Sequence, residues 1–214
     1  MKKSFDKKWE NNVYSKGKQI NSYPFDILVS IVARKFFHFF PKDRKNIRVL
    51  DLGCGAGNNA KFFAENGFSV FGIDGSKSAL SFCRKIFKKN KLKGNFARGD
   101  FLNLPYKDNF FDLIVDRESL YANRPADIKK IIDEIFKRLK PGGYFVSFMF
   151  NNMHSAKANF IGTGRVHLVN LNEILDWFSE FKIENVARHS LLEVHDKSHK
   201  FMEFDEYIII AKKP

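Results

Sequence analysis

The chain has 214 residues, 44% of them hydrophobic, with two cysteines and a formal net charge of +13. That length and apolar content fit one globular domain with a substantial core and exclude an intrinsically disordered chain. No apolar run approaches the length of a membrane span, and MKKSFDKKWE carries charges with no apolar segment behind them, so neither a spanning helix nor a secretion signal is expected.

Residues 1–45 form a segment ahead of the first strong motif. Trp9, Tyr14, Tyr23 and Phe25 are spaced through polar residues. Pro24 then opens an apolar stretch, 25–40, in which Ile27, Leu28, Ile31, Val32, Phe36 and Phe39 recur at helical spacing. The spacing predicts a helical cap lying over the carboxyl edge of a sheet.

The stretch 46–74 organises the chain. Residues 47–50 are an apolar, β-branched run that stops at Asp51. Gly53, Gly55 and Gly57 follow at alternate positions and lead into an amphipathic segment, 58–66. Strand, tight turn and helix are predicted, with glycines letting the backbone turn sharply and approach a ligand closely. A second strand, 69–73, ends on Asp74, about 20 residues past Asp51, where an acidic side chain is placed to accept from a ribose diol. Gly55-x-Gly57-x-x-Ala60 also fits the dinucleotide fingerprint of nicotinamide and flavin enzymes. Asp51 opposes that reading, because a carboxylate before the glycines would repel a pyrophosphate and attract a cation.

Beyond Asp74 the pattern keeps alternating. Gly75-Ser76 caps a helix at 77–89 with Leu80, Cys83, Ile86 and Phe87 inward, and a short strand at 95–98 runs into Gly99-Asp100-Phe101. A strand at 110–115 closes with Asp116, Arg117, Glu118, Ser119, Leu120 and Tyr121, at the edge where open α/β sheets bind ligands. Pro125 begins a helix with Ile128, Ile131, Ile132, Ile135, Phe136 and Leu139 on one face. A strand at 144–150, a loop through His154 and the glycine-rich run up to Arg165, a helix at 171–181 and two strands at 182–194 and 202–212 complete the chain. Strands alternating with helices predict an α/β fold with a doubly wound, mostly parallel sheet. A single domain is expected, 1–45 as cap and 46–214 as core.

The segment Asp51-Leu-Gly53-Cys-Gly55-Ala-Gly57 resembles motif I of the class I S-adenosylmethionine-dependent methyltransferases. Four later landmarks agree in order and spacing: Asp74, Gly99-Asp100-Phe101, the run from Phe111 to Val115, and Leu139-Lys-Pro-Gly-Gly143. The resemblance implies a seven-stranded Rossmann-like sheet with a reversed last strand and S-adenosyl-L-methionine as cofactor. It places Asp51 toward the methionine ammonium, Gly53, Gly55 and Gly57 under the ligand, and Asp74 with Gly75 and Ser76 at the ribose. Asp100 is expected at the adenine amino group with Phe101 beside the ring, and Asp116 and Arg117 at the edge of the fourth strand. In similar enzymes the N-terminal extension closes over the cofactor and helps shape the acceptor pocket.

Methyl transfer from a sulfonium is an in-line displacement that needs alignment and desolvation more than catalytic groups. For an oxygen acceptor, candidates to take its proton are Asp116, Glu118, Tyr121 and His154, with His167 further on. Relatives often have His-His where Leu120-Tyr121-Ala122 stands here. Arg117 and Arg165 are suited to an acidic acceptor. A small or medium-sized acceptor is expected, and Trp9 to Asp26 resembles enzymes of bacterial surface-sugar clusters, pointing to a sugar or surface-glycan precursor.

The alternatives are an RNA methyltransferase using the basic surface and a nicotinamide-dependent oxidoreductase. A module that binds the cofactor and turns nothing over is a third. Nucleic acid is not favoured as a partner, since the lysines are dispersed and lack interleaved aromatic platforms. His195 and His199 share i, i+4 spacing only within a polar run, and two cysteines are too few for a zinc site, so no metal is expected. Reduced thiols and the lack of a membrane segment predict a cytoplasmic protein.

Overall fold

The computed structural model describes residues 4–153, 165–195 and 200–214. A short helix, α1 (Lys7–Asn12), and a longer one, α2 (Asp26–Phe36), precede the alternating core: β1 (Arg48–Leu52), α3 (Asn58–Glu65), β2 (Ser69–Asp74), α4 (Lys77–Lys89), β3 (Asn95–Arg98), β4 (Phe111–Arg117), α5 (Pro125–Arg138), β5 (Leu139–Phe150), α6 (Leu171–Trp177), β6 (Lys182–His195) and β7 (Lys200–Lys212). The seven strands form one sheet in the order β3-β2-β1-β4-β5-β7-β6. β1 pairs in parallel with β2 (Val49 opposite Val70) and with β4 (Leu50 opposite Ile114), whereas β7 runs antiparallel to both β5 and β6. The expected doubly wound, seven-stranded sheet with a reversed last strand is therefore observed, with helices packed around it.

Period-two alternation along each strand sends successive side chains to opposite layers. Leu50, Leu52, Ile114 and Phe145 pack with Ile128, Ile131 and Ile135 of α5 and Ile174 and Trp177 of α6. Val49, Val70, Leu113, Val115 and Phe148 pack on the other side with Leu28 and Val32 of α2, Phe63 of α3, and Cys83 and Phe87 of α4. The strand order reverses between β1 and β4, and at this switch point the carboxyl ends of the strands open a crevice.

Several boundaries differ from the sequence reading. The helix expected to reach residue 40 stops at Phe36, because Pro41 biases the preceding backbone away from helix, and Phe39 and Phe40 are exposed where Phe39 was expected inward. β4 runs two residues further than expected, to Arg117. β5 begins at Leu139, which bridges Phe111 before a register shift, and Gly142 takes φ +78 in that irregular stretch. The helix expected at 171–181 ends at Trp177, and its start carries a capping box between Asn170 and Glu173.

Candidate active site

A cavity of about 730 Å³ lies at the carboxyl ends of β1, β2 and β4. That volume is within the range of small-molecule sites. Its floor is the turn after β1, where Gly53, Gly55 and Gly57 take φ of +73, +51 and +89. Side chains are excluded there for packing reasons too: a Cβ on Gly55 would stand 2.7 Å from the Tyr14 hydroxyl, and one on Gly57 would stand 2.5 Å from Cys83 Sγ. Gly53 and Gly55 line the cavity; Gly57 faces inward against α4.

Asp74 closes β2 beside this turn. One carboxylate oxygen accepts from the Gly55 N–H at 2.9 Å and the other from the Ser76 N–H at 2.7 Å, which aims the group while leaving each oxygen a further lone pair. Burial pushes its pKa up to about 6, with the two N–H donors pulling the other way. Gly75 lines the cavity; Ser76 does not, and its hydroxyl caps α4 by accepting from the Ala79 N–H at 2.9 Å.

Asp100 and Phe101 also line the cavity, after β3. Arg117, Glu118 and Tyr121 stand at the β4 edge. The Arg117 guanidinium lies 4.0 Å from the Phe25 ring centroid and is ion-paired with Glu118, while its buried Nε has no hydrogen-bond partner among the described residues. Burial lowers the Arg117 pKa and raises that of the Tyr121 phenol, whose ring packs 4.8 Å from Phe150. Glu118 holds φ +55, a left-handed conformation costly for a residue with a side chain and maintained here by its N–H donating to the Phe148 carbonyl.

Two sequence-assigned carboxylates are elsewhere. Asp51 lies within β1, not after it, and alternation turns its side chain to the α3 face, where it accepts from the Ala60 N–H at 3.1 Å. Burial drives its pKa up to about 7. Asp116 is fully buried on the opposite face; it accepts from the N–H groups of Ser119 and Leu120 and from the Ser147 hydroxyl at 2.7 Å, fixing the turn after β4. Neither lines the cavity. His154 and the glycine-rich run at 161–164 lie outside the described residues, as does His199. His167 is described and pairs with Glu173 at 2.8 Å rather than lining the cavity. Arg165 donates its backbone N–H to Asp6 at 3.0 Å.

The sequence did not mark the residues 4–6 that roof the cavity. The Ser4 N–H and hydroxyl reach Asp100 at 2.6 Å each, Phe5 lies against Gly75, and Glu10 accepts from the hydroxyls of Ser76 and Ser78 at the start of α4. Gln19, Asn21, Asn58, Asn59, Ser119 and Asn123 add further polar lining. A run of polar residues with no periodicity gives no signal for such contacts, which span nearly a hundred positions. Among the described residues no group of three or more His, Cys, Asp or Glu is placed to hold a metal ion. Cys54 and Cys83 are buried and not disulfide-bonded.

Residues 43–204 match a family model described as a methyltransferase domain. Among curated proteins, the sterol 24-C-methyltransferase erg6 of Schizosaccharomyces pombe is 37% identical over 46% of this chain and 26% of its own length. An uncharacterized methyltransferase of Synechocystis is 34% identical over 58% of this chain and 63% of its own, and the fatty-acid O-methyltransferase of Mycolicibacterium smegmatis is 29% identical over 62% and 45%. The chain thus spans less than two thirds of the length of these relatives. Solved structures share the fold: TehB from Haemophilus influenzae has a TM-score of 0.71 at 18% identity, covering 97% of this chain and 67% of that one. A SAM-dependent methyltransferase from Methanosarcina mazei scores 0.68 at 22% identity, covering 89% and 98%.

Proposed function

Because the chain belongs to the methyltransferase-domain family, we propose that it is an S-adenosylmethionine-dependent methyltransferase acting on a small or medium-sized polyhydroxylated acceptor such as a sugar or surface-glycan precursor. The observation that carries this reading is the inversion of charge at the cavity. In a chain of net charge +13, the charged lining among the described residues consists of the carboxylates Asp6, Asp26, Asp74, Asp100 and Glu118 and a single guanidinium, Arg117. Such a lining favours a cationic guest and disfavours a pyrophosphate or a nucleic-acid backbone.

The cofactor supplies a methyl group already activated on a sulfonium. Toward it, Gly53 and Gly55 would give close backbone approach, Asp74 would accept from the two ribose hydroxyls, and Asp100 and Phe101 would meet the adenine side. Asp51 serves from beneath, by fixing the start of α3. The remaining work of the chain is to hold the acceptor in line at about 3–3.5 Å and to exclude water. The side-chain amides of Gln19, Asn21, Asn58 and Asn123, with Asp26, suit hydroxyl groups, and Tyr121, Phe150 and Phe204 offer apolar faces to sugar C–H groups. Glu118 is assigned to take the proton of the attacking hydroxyl, while the Tyr121 phenol, with its raised pKa, stays protonated. Relatives named for sterol and fatty-acid acceptors favour a small molecule over a polymer. No helix among the described residues is long and apolar enough to cross a membrane. With two reduced thiols, a cytoplasmic setting fits this reading.

Calorimetric titration with S-adenosylmethionine and its demethylated product, repeated on Asp74→Ala, tests the proposal. Micromolar binding weakened at least about tenfold by the substitution, roughly 1.4 kcal/mol, is expected. Absence of binding to the unaltered chain, or binding of a nicotinamide dinucleotide in its place, overturns it.

A further inference from the structure

We propose that Tyr14, carried by the N-terminal segment, is a cofactor-contacting residue whose hydroxyl donates a hydrogen bond to the ligand seated on the glycine turn. This inference rests on the reading of the cavity as a cofactor site and adds to it a residue from outside the sheet.

Tyr14 opens a short 3₁₀ turn, Tyr14–Lys16, closed by Gly17 at φ +66, whose N–H donates to the Tyr14 carbonyl at 3.0 Å. The segment is tied to the core one turn earlier, where Glu10 accepts from the Ser78 N–H at 3.2 Å and from the hydroxyls of Ser78 and Ser76, next to Asp74. That anchor fixes where the Tyr14 ring falls. Its hydroxyl oxygen stands 2.7 Å, and its Cζ 3.5 Å, from the point a Gly55 Cβ would occupy, so the polar tip of the ring touches the turn that forms the cavity floor. The Gly55 N–H is directed away to Asp74, so it does not engage the phenol.

The ring itself is supported from one side by Trp9, at 6.5 Å between centroids. Burial, with Asp74, Cys54 and Asp51 nearby, pushes the phenol pKa far up, so the group is a donor at every working pH. Among the described residues none hydrogen-bonds to that hydroxyl. The side chain is half-buried and its hydroxyl is not sealed from solvent, so it can exchange water for an acceptor on the ligand. Here the hydroxyl lines the cavity at the glycine turn, where an acceptor atom of the bound ligand satisfies it.

The test is calorimetric titration of the full chain and of Tyr14→Phe with S-adenosylmethionine and with its demethylated product, with Tyr23→Phe as control. Tyr23 is 78% exposed and does not line the cavity. Loss of the hydroxyl is expected to weaken both ligands about tenfold in Tyr14→Phe, with Tyr23→Phe unchanged, and to leave the melting temperature of the ligand-free protein unchanged or slightly raised. Equal affinity in Tyr14→Phe and the unaltered chain overturns the role of Tyr14 alone. A weakened affinity accompanied by a lowered ligand-free melting temperature assigns Tyr14 a structural role and also overturns it. Failure of the unaltered chain to bind either ligand overturns both this inference and the function it rests on.

Discussion

Ser4 and Asp100, 96 positions apart, are joined twice: the Ser4 N–H and the Ser4 hydroxyl each donate to one oxygen of the Asp100 carboxylate at 2.6 Å. The Phe5 N–H at 3.3 Å and the Leu102 N–H at 3.1 Å bring the same carboxylate to four donors. Burial pushes the Asp100 pKa up, but these donors more than offset it and hold the group below the usual carboxylate range. The N-terminal segment is thus fastened onto the adenine-side carboxylate of the proposed site, and it roofs the cavity while doing so.

Asp100→Ala removes the acceptor for three N-terminal donors at once. Amide exchange in residues 4–9, followed by mass spectrometry, is expected to accelerate at least about tenfold, since each such hydrogen bond to a charged group is worth roughly 1.5–3 kcal/mol. Unchanged exchange would mean that the contacts of Asp6 and Glu10 hold the segment without Ser4. Because the Asp100 pKa is lowered, its contribution is complete at neutral pH and disappears only as pH falls through the lowered value.

The two carboxylates under the glycine turn behave in the opposite sense. Burial raises Asp51 to about 7 and Asp74 to about 6, so the folded state takes up protons more readily than the unfolded chain, whose Asp values lie near 3.9. Their stabilising contribution is full below about pH 4 and is lost as pH rises through 6 to 7. The ligand-free protein is expected to melt at a higher temperature at pH 5 than at pH 8, and Asp51→Asn, which keeps an oxygen for the Ala60 N–H, should flatten that slope. Cofactor affinity should run the other way, improving as Asp74 ionises. A slope identical in Asp51→Asn would remove Asp51 as its source.

These carboxylates also show what the sequence can and cannot display. Asp51, Asp74 and Asp100 each stand at or just past the end of an expected strand, and nothing local distinguishes a side chain that enters the crevice from one that turns inward. Strand register decides it: Asp51 falls on the same face as Val49 and meets α3, whereas Asp74 is the last residue of its strand. The glycine turn and the α4 and α5 stripes were legible because steric freedom and period-3.6 burial are local properties, whereas the seven-stranded order with its reversed last strand came only through the resemblance of the motifs. The roof formed by Ser4, Phe5 and Glu10 was not, since it depends on long-range contacts of a polar segment. The left-handed Glu118 is imposed by the Phe148 carbonyl on the neighbouring strand and has no trace in its own neighbours in sequence.

Gly57 tests the turn independently of any ligand. In Gly57→Ala the residue must hold φ +89, which costs an L side chain about 1–3 kcal/mol, and its Cβ must stand 2.5 Å from Cys83 Sγ inside the α3–α4 contact, where overpacking adds a comparable amount. A loss of about 2–4 kcal/mol in urea unfolding is expected. A loss below about 1 kcal/mol would mean that Cys83 moves aside and that the turn tolerates a side chain.

Asp205 tests how the far side of the cavity is held. The side chain is fully buried midway along β7, opposite Ser190 of β6; the Arg188 Nε donates to its two oxygens at 2.8 and 2.9 Å, the Ser190 hydroxyl donates at 2.8 Å, and Arg188 Nη2 and the Asn151 amide donate as well. One carboxylate therefore ties β6 to β7 and both to the end of β5, and its neighbours Phe204 and Phe150 line the cavity. The Arg188 hydrogen bonds are the largest influence on its pKa and bring it down to about 2. A depressed carboxylate stabilises above its unfolded value near 3.9 and loses that contribution only as pH falls toward 2. Asp205→Ala strands these donors, so a loss of about 2–3 kcal/mol at pH 7 is expected, moderated by the partial exposure of Arg188. Asp205→Asn keeps the shape and one acceptor oxygen and should lose about half as much. Urea midpoints at pH 7 and pH 3 distinguish the cases: the gap between the unaltered chain and Asp205→Asn should narrow at pH 3, and a gap that stays constant would show that packing, and not the ion pair, carries the contribution.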